Sequence, residues 1–171
     1  MKKIALILLL LVAFSSCKSS KRVVTTKSKT TKIDRRSTPS APANPLAENI
    51  IDYAMKFEGV KYKYGGTTKK GMDCSGLIVT SFNSENIALP RTTTDMAVAG
   101  DWIDLKEVVK GDLLFFATQR NSRKVSHVGI VTEARDGNVE FIHASTSNGV
   151  IVSNLAEKYW YFAFVQARRV L

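Results

Sequence analysis

The feature that most constrains the fold is a change of hydrophobic pattern near residue 100. Upstream, apolar residues recur at helical spacing in two segments. Downstream, the chain consists of short runs rich in β-branched and aromatic residues, separated by turn residues. Helices followed by an antiparallel meander make an α+β plan, in which a helix must cover one apolar face of the sheet. We therefore predict a single α+β domain.

Both helical segments have clear boundaries. The first carries Leu46, Ile50, Ala54 and Phe57 at helical spacing and is followed by a glycine stop. The second, over residues 74–85, is preceded by Asp73, which is a good N-cap. The stretch VKYKYGGTTKKG between them predicts a loop, and ALPRTTTDMAVAG predicts a loop with a short helix.

Five strands are predicted in the second part of the chain. They cover residues 112–117, 127–134, 139–146, 149–154 and 161–170. The sequence RDGN at 135–138 is a hairpin signal that joins the second strand to the third. We therefore predict that the second and third strands are antiparallel neighbours in the sheet.

The N-terminal end predicts export and lipid anchoring. Two lysines precede the apolar run Ile4–Phe14, which is too short to span a bilayer and is typical of a signal peptide. The run stops at Ser-Ser-Cys, which resembles a lipobox with Cys17 as the lipidated residue. Ordinary secretion with Cys17 discarded is the alternative. Lys18 after the cysteine resembles the outer-membrane sorting pattern, and we expect the periplasmic face. Residues 1–17 are thus predicted to be a lipoprotein signal peptide.

The net charge of +10 resides mainly outside the predicted domain. Residues 18–45 carry eight basic residues and one acidic residue, whereas residues 46–171 carry 15 and 14. The first tract is rich in Ser, Thr, Lys and Pro and has few large apolar side chains, so it is predicted to be a disordered basic tether. Export argues against nucleic acid as the partner of this charge. Residues 46–171 suffice for one core, and we expect a monomer.

The chemistry of the domain centres on its one interior cysteine. Cys74 lies at the start of the second helix and has no disulfide partner if Cys17 is acylated. Both histidines of the chain, His127 and His143, lie on predicted neighbouring strands and can stand together on one sheet face. The positive helix end and an imidazolium both lower a thiol pKa, which favours the nucleophilic thiolate. One histidine would shuttle the proton while the second holds its tautomer.

The segments GVKYKYGGTTKKGMDCSGLI, LPRTT, GDLLFF, SHVGIV and FIHASTSNGVIVSNL occur in this order. Together they resemble the NlpC/p-sixty family of cell-wall cysteine peptidases, in particular its lipoprotein murein DD-endopeptidases. The resemblance covers roughly residues 47–171. It implies a small papain-like α+β domain, residues 46–171, in which the cysteine-bearing helix packs on an antiparallel sheet.

The resemblance also implies catalytic roles. Cys74 is the expected nucleophile, His127 the general base and acid, and His143 the orienting third member. Tyr62 matches a tyrosine that faces the cysteine and helps to bind the reacting carbonyl. Plain packing is the alternative for Tyr62, and Tyr64 is a nearby residue that we do not assign.

Two further residues are expected in the substrate cleft. Asp73 and Ser75 match family positions that line it, although each is also explained as a residue that favours a helix start. Arg91 in LPRTT is interpreted as a solvated arginine and is not assigned to the site.

The predicted function is therefore that of a lipid-anchored endopeptidase that hydrolyses peptidoglycan stem peptides. D-Ala–diaminopimelate crosslinks are the expected substrate, and the D-Glu–diaminopimelate bond is the alternative. No cofactor and no metal are expected. A zinc site built from the cysteine and both histidines, a non-catalytic wall-binding module and another acyl transfer on the same fold are the competing hypotheses. Regulation by an adaptor or a protease stays open.

Overall fold

The computed structural model describes residues 44–135 and 137–171. The α-helices in these residues are α1 (Pro45–Met55), α2 (Cys74–Asn83), α3 (Thr93–Met96) and α4 (Lys158–Ala163), and a 3-10 turn covers Leu105–Glu107. The strands are β1 (Thr67–Thr68), β2 (Gly71–Met72), β3 (Asp101–Ile103), β4 (Leu113–Phe116), β5 (His127–Arg135), β6 (Asn138–Ser145), β7 (Gly149–Asn154) and β8 (Phe164–Arg169).

A six-stranded sheet forms the centre of the fold. Its order is β3-β8-β4-β5-β6-β7, and every neighbouring pair is antiparallel. The strands from β4 to β7 make the predicted meander, with Arg135 opposite Asn138 at the predicted hairpin. Residue 136 of that turn lies outside the described residues. β8 returns to pair with β4 on the other side, so β4 becomes an inner strand, and all four of its residues are buried.

Each face of the sheet is covered by its own apolar cluster. On one face, α1 and α2 pack against alternate residues of β4, β5 and β6, including Phe115, Ile130 and Ile142. On the other face, Phe116 and Phe141 pack against Trp160 of α4. The predicted packing of the cysteine helix on an antiparallel sheet is confirmed. The molecule is an α+β domain as expected.

Helix α2 is held at its start by a side-chain cap and a close backbone contact. Asp73 adopts an extended conformation and accepts a hydrogen bond from the Gly76 amide at 2.6 Å. A Cβ at Gly76 would collide with the carbonyl oxygen of Gly66. Only glycine therefore lets the preceding loop lie this close to the first turn of the helix.

The structure corrects the sequence interpretation in several places. Residues 158–163 form α4, so the last predicted strand begins at Phe164 instead of residue 161. Aromatic residues favoured a strand there, but Trp160 and Ala163 point inward at helical spacing. The other aromatic residues of the helix are exposed, namely Tyr159, Tyr161 and Phe162. The strands β1, β2 and β3 were not predicted because each has only two or three residues.

The domain also begins slightly earlier than predicted. Asn44 caps α1 by accepting a hydrogen bond from the Leu46 amide at 3.1 Å, and Pro45 occupies the first helical turn. Both residues were assigned to the tether. The signal peptide, Cys17 and the remainder of the tether lie outside the described residues. In the part that the structure describes, no helix has the length and apolar character needed to cross a membrane.

Candidate active site

An open cleft of about 430 Å³ lies at the N-terminal end of α2. Its walls come from the loop before α2, the first turn of α2, the segment leading into α3, and the residue before β5. They are lined by Tyr62, Tyr64, Gly65, Asp73, Cys74, Ser75, Arg91, Thr92, Thr93 and Ser126. Four of the predicted site residues are therefore brought together here.

Cys74 is the first residue of α2, and 9% of it is exposed. Its Sγ lies 3.7 Å from Oγ1 of Thr93. Cys74 also belongs to the same core cluster as Val128. Because Val128 is the second residue of β5, the thiol lies against the start of that strand.

The electrostatics of the thiol differ from the prediction. Burial raises the pKa of Cys74, and the Asp73 carboxylate raises it further, while the Thr93 hydroxyl and the nearby backbone amides of Ser75 and Val128 lower it only in part. A depressed pKa was expected from the helix end and an imidazolium. In the described state, the thiol instead keeps its proton at neutral pH, so attack needs a base.

Asp73 is the centre of a buried hydrogen-bond network. Besides the Gly76 amide, it accepts hydrogen bonds from the Gly65 amide at 2.7 Å and from Arg91 at 2.8 Å. Arg91 also donates to Oγ of Ser75 at 2.6 Å. Asp73 therefore caps the helix and also lines the cleft. Its role in substrate binding stays a prediction.

This network fixes the charge of the Asp73 carboxyl. Burial by itself would raise the pKa, but hydrogen bonds from Arg91 and from the two glycine amides outweigh it and lower the pKa below its ordinary value. Arg91 was interpreted as a solvated arginine outside the site; its side chain is indeed 41% exposed, but it belongs to the site. Its guanidinium forks onto Asp73 and Ser75 and forms part of the cleft wall.

Both tyrosines of the preceding loop line the cleft. Tyr62 is half-buried and packs against the core, and its backbone forms an isolated β-bridge with Met72. Tyr64, in contrast, is 89% exposed. Burial and the nearby Cys74 raise the pKa of Tyr62, so its hydroxyl keeps its proton and can donate a hydrogen bond. Tyr62 lines the same cleft as Cys74, and its contact with a substrate carbonyl stays a prediction.

His127 and His143 form a buried hydrogen-bonded pair. Nε2 of His127 lies 3.0 Å from Nδ1 of His143, and Nε2 of His143 lies 3.0 Å from Oγ of Ser153. The indole of Trp160 stacks on the His127 ring with centroids 5.4 Å apart and meets the His143 ring edge-on at 4.6 Å. The two imidazoles therefore lie side by side, as predicted.

The chain of hydrogen bonds links the tautomers of the two rings. Neither histidine is charged at neutral pH, because burial lowers the pKa of His127 to about 4 and, with the nearby His127, that of His143 to about 3. If Nδ1 of His127 is to accept a proton, its Nε2–H donates to Nδ1 of His143. His143 then carries its proton on Nε2 and donates it to the hydroxyl of Ser153.

The start of β5 joins the thiol to the histidine pair. Ser126 lines the cleft and Val128 belongs to the core cluster that contains Cys74, so His127 lies between two residues that adjoin the thiol. The His127 ring itself lies toward Trp160 and lines a neighbouring recess. In the described residues, Cys74 and His127 make no direct hydrogen bond. Proton transfer between Cys74 and His127 would therefore require a closer approach of the two side chains.

The lack of direct contact between Cys74 and His127 also argues against the zinc hypothesis. Across residues 44–135 and 137–171, no group of three or more His, Cys, Asp or Glu side chains is arranged to hold a metal ion. Cys74 and the two histidines thus do not converge as three ligands in this structure.

Besides Arg91, three residues that contact the thiol or the histidines were not predicted from the sequence. Thr93 contacts the thiol, Ser153 closes the histidine chain, and Trp160 covers both imidazoles. Ser153 could have been predicted from the sequence. Side chains alternate along β7, and this alternation directs Ser153 to the sheet face that carries His143. The position of Trp160 could not be predicted in this way, because it depends on helix α4, which was not predicted.

Comparison with known proteins reveals relatives over the whole domain. The NlpC/P60 family model matches residues 59–169. A Haemophilus influenzae protein named "Probable endopeptidase NlpC homolog" is 44% identical over 114 residues, which are 66% of this chain and 57% of that protein. The Escherichia coli "Murein DD-endopeptidase MepS/Murein LD-carboxypeptidase" is 39% identical over 127 residues, covering 74% of this chain and 64% of that protein.

A solved structure has the same fold. The crystal structure of an NlpC/P60 family protein from Bacillus cereus superposes with a TM-score of 0.66 and 31% identity, covering 75% of this chain and 41% of that one. The present chain thus spans less than two thirds of the length of each of these three proteins. The resemblance stated from the sequence motifs is confirmed.

Proposed function

Because this chain belongs to the NlpC/P60 family, we propose that it is a cysteine peptidase that hydrolyses peptidoglycan stem peptides. The observation that carries the proposal is the placement of Cys74. It begins a buried helix in an open cleft, and it belongs to the same core cluster as Val128 of the strand that opens with His127. That histidine is already fixed by a second one. These are the parts that a thiol nucleophile with a base and an orienting group requires.

The proposed reaction has two steps. His127 removes the thiol proton as Sγ of Cys74 attacks the scissile carbonyl, so a C–S bond forms. The C–N bond then breaks, and His127 gives the proton to the leaving amine. Water attacks the thioester with His127 as base, releasing the acid and returning a proton to sulfur.

The remaining site residues support this reaction. His143 holds His127 in the tautomer that accepts at Nδ1, as the hydrogen-bond chain permits. Tyr62 would donate to the reacting carbonyl, and Asp73 with Ser75 would bind the acyl half of the substrate in the cleft. The protonated thiol and neutral imidazole of the free enzyme make this a base-assisted attack and not one by a preformed ion pair.

We assign the D-Ala–diaminopimelate crosslink as the cleaved bond, following the murein DD-endopeptidase named among the relatives. The D-Glu–diaminopimelate bond is the second candidate, since both cleavages use the same acyl-enzyme chemistry.

The proposed location is the periplasmic face of the outer membrane, with the lipid on Cys17. Residues 18–43 would tether the domain. A flexible tether of this length averages ~30 Å between its ends and reaches at most ~90 Å. That range allows an anchored enzyme to search the wall near the membrane.

Purified sacculi and isolated crosslinked muropeptides test the proposal. The full chain in detergent is incubated with each, alongside Cys74→Ala, and the products are read by mass spectrometry. Crosslinked dimers that become monomers only with Cys74 present support the DD-endopeptidase assignment, and cleaved stems support the D-Glu bond. Equal products from both proteins, or none from either, would contradict the proposal.

A further inference from the structure

Helix α4 exposes a large amount of apolar surface, and we propose that this surface docks on an anionic lipid membrane. Six large apolar side chains are exposed in the described residues, and three of them, Tyr159, Tyr161 and Phe162, lie on this six-residue helix. An exposed patch of this kind marks a surface that meets an apolar or amphipathic partner. The proposal rests on the proposed membrane location and does not depend on the proposed peptidase reaction.

The helix has an inner and an outer side. Trp160 and Ala163 are buried in the apolar cluster against the sheet. Tyr161 and Phe162 follow Lys158 by three and four residues, so the three side chains lie together on the outer side. The two rings are 63% and 66% exposed and contact each other edge-on, with centroids 5.5 Å apart. We call Lys158, Tyr161 and Phe162 the outer stripe.

A basic loop lies beside the outer stripe. The segment between β4 and β5 carries Arg120, Arg123 and Lys124 and has no acidic residue. Arg123 fixes this loop to the helix by donating hydrogen bonds to the carbonyl oxygens of Phe162 and Phe164, both at 3.1 Å. None of the three bases forms a salt bridge with a carboxylate of the described residues. The outer stripe is therefore bordered by positive charge.

This combination of groups matches the headgroup region of a bilayer. Aromatic side chains concentrate at the membrane–water interface, and helices that lie on membranes combine Phe or Trp with Lys and Arg. The basic loop, α4 and its cap residue Glu157 together hold four basic residues and one acidic residue, whereas residues 46–171 hold 15 and 14. The basic excess of the domain therefore lies where the rings are exposed. Anionic lipid attracts such a cluster, and a fluid surface accommodates projecting rings without a shaped pocket.

Paramagnetic broadening of ¹⁹F NMR signals tests the docking. The full chain carries 3-fluorotyrosine and is reconstituted in nanodiscs of phosphatidylglycerol and phosphatidylcholine in equal parts, with a trace of spin-labelled lipid. The signal of Tyr161 should be broadened more strongly than that of Tyr64. Tyr64 is the matched control, because it is 89% exposed but belongs to the loop before α2, the helix that covers the opposite face of the sheet. Equal broadening of the two signals, or stronger broadening at Tyr64, would overturn the proposal.

Lipid charge and side-chain variants provide matched comparisons. Nanodiscs of phosphatidylcholine alone should lose the extra broadening at Tyr161. Lys158→Gln should lower the ratio of docked to free domain by roughly fivefold, the effect of one base near an anionic surface. Lys69→Gln, at the exposed turn between β1 and β2, should leave this ratio unchanged. Phe162→Ser should release the domain, whereas Val98→Ser, which removes an exposed apolar side chain outside α4, should not.

The outcomes distinguish the partners and keep this proposal separate from the peptidase. Extra broadening at Tyr161 that is equal in phosphatidylcholine alone, or that persists unchanged in Lys158→Gln, overturns anionic lipid as the partner. If sacculi shift the Tyr161 signal and nanodiscs do not, the cell wall is the partner and the lipid assignment is wrong. Cleavage of muropeptides in detergent is measured separately. Its absence contradicts the proposed function alone, because the NMR signals report docking without turnover.

Discussion

Ser153 is the residue that ends the chain of hydrogen bonds behind the thiol. A neutral imidazole has one N–H, so His143 can accept from His127 only if its own proton is on the side of Ser153. The serine is 8% exposed, and its hydroxyl is the partner that fixes this choice. A residue without a hydrogen bond to the thiol thus positions the histidine that we propose as the general base.

Replacement of Ser153 should therefore affect turnover more than binding. We expect Ser153→Ala to lower kcat by roughly three- to tenfold, the worth of one buried hydrogen bond, with KM unchanged. Ser153→Thr, which keeps the hydroxyl, should retain more activity. Imidazole ¹⁵N shifts provide the second readout, since the alanine variant should show mixed tautomers of His143. A wild-type tautomer together with wild-type kcat in Ser153→Ala would rule this role out.

Arg91 controls the charge of Asp73 at the opposite end of the site. Without the guanidinium, the burial of the carboxyl is opposed only by backbone amides, so the pKa of Asp73 should rise in Arg91→Ala. The carboxyl ¹³C resonance followed against pH measures this shift. Arg135→Ala, which removes an exposed arginine paired with Glu133, is the matched control and should leave Asp73 unchanged. An unaltered Asp73 titration in Arg91→Ala would contradict the account of the network.

At the level of elements, the position of Cys74 depends on how closely α2 approaches the preceding loop. The first turn of α2 touches the Gly66 carbonyl, and the same loop donates the Gly65 amide to Asp73. Helix end, cap and loop thus form one unit that presents the thiol to β5.

Gly76→Ala tests this unit. Alanine would gain about 0.5–1 kcal/mol of helix propensity, but its Cβ meets a backbone oxygen that cannot move aside by rotation. Overpacking of this kind costs about 1–3 kcal/mol, so we expect net destabilisation and loss of activity. Chemical denaturation measures the first effect. Asn83→Ala, exposed at the end of the same helix, controls for propensity and should not lose stability.

The sequence predicts those elements whose signals are local. Periodicity and the Asp73 cap predicted α2, and the alternating runs with a turn between them predicted β5 and β6. Helix α4 was missed because its aromatic residues favour a strand, and only packing of Trp160 against the sheet selects the helix. Arg91 was missed for a similar reason, since nothing in LPRTT shows that Asp73 lies opposite it.

The buried histidine pair has a consequence for the stability of the whole molecule. Both rings are neutral in the folded state, with pKa values of about 4 for His127 and about 3 for His143, but take up protons near pH 6.5 when unfolded. The unfolded state then binds more protons, so stability is fully present above pH 6.5 and falls as pH decreases toward 4.

Denaturation between pH 7 and pH 4 should show this loss. Each histidine contributes a slope of up to about 1.4 kcal/mol per pH unit within that window. The double variant His127→Gln, His143→Gln should have a flatter profile than the wild type. Parallel profiles of the two proteins over this range would show that the histidines are not buried as neutral groups.

The central claim is that the thiol of Cys74 forms the covalent bond to the substrate. Its most direct test is acid quenching of the full chain during turnover of crosslinked muropeptides, followed by peptide mass spectrometry. The account predicts a stem-peptide acyl group on the peptide that contains Cys74, together with no turnover by Cys74→Ala. Turnover without any acylated Cys74, retained in Cys74→Ala, would contradict it.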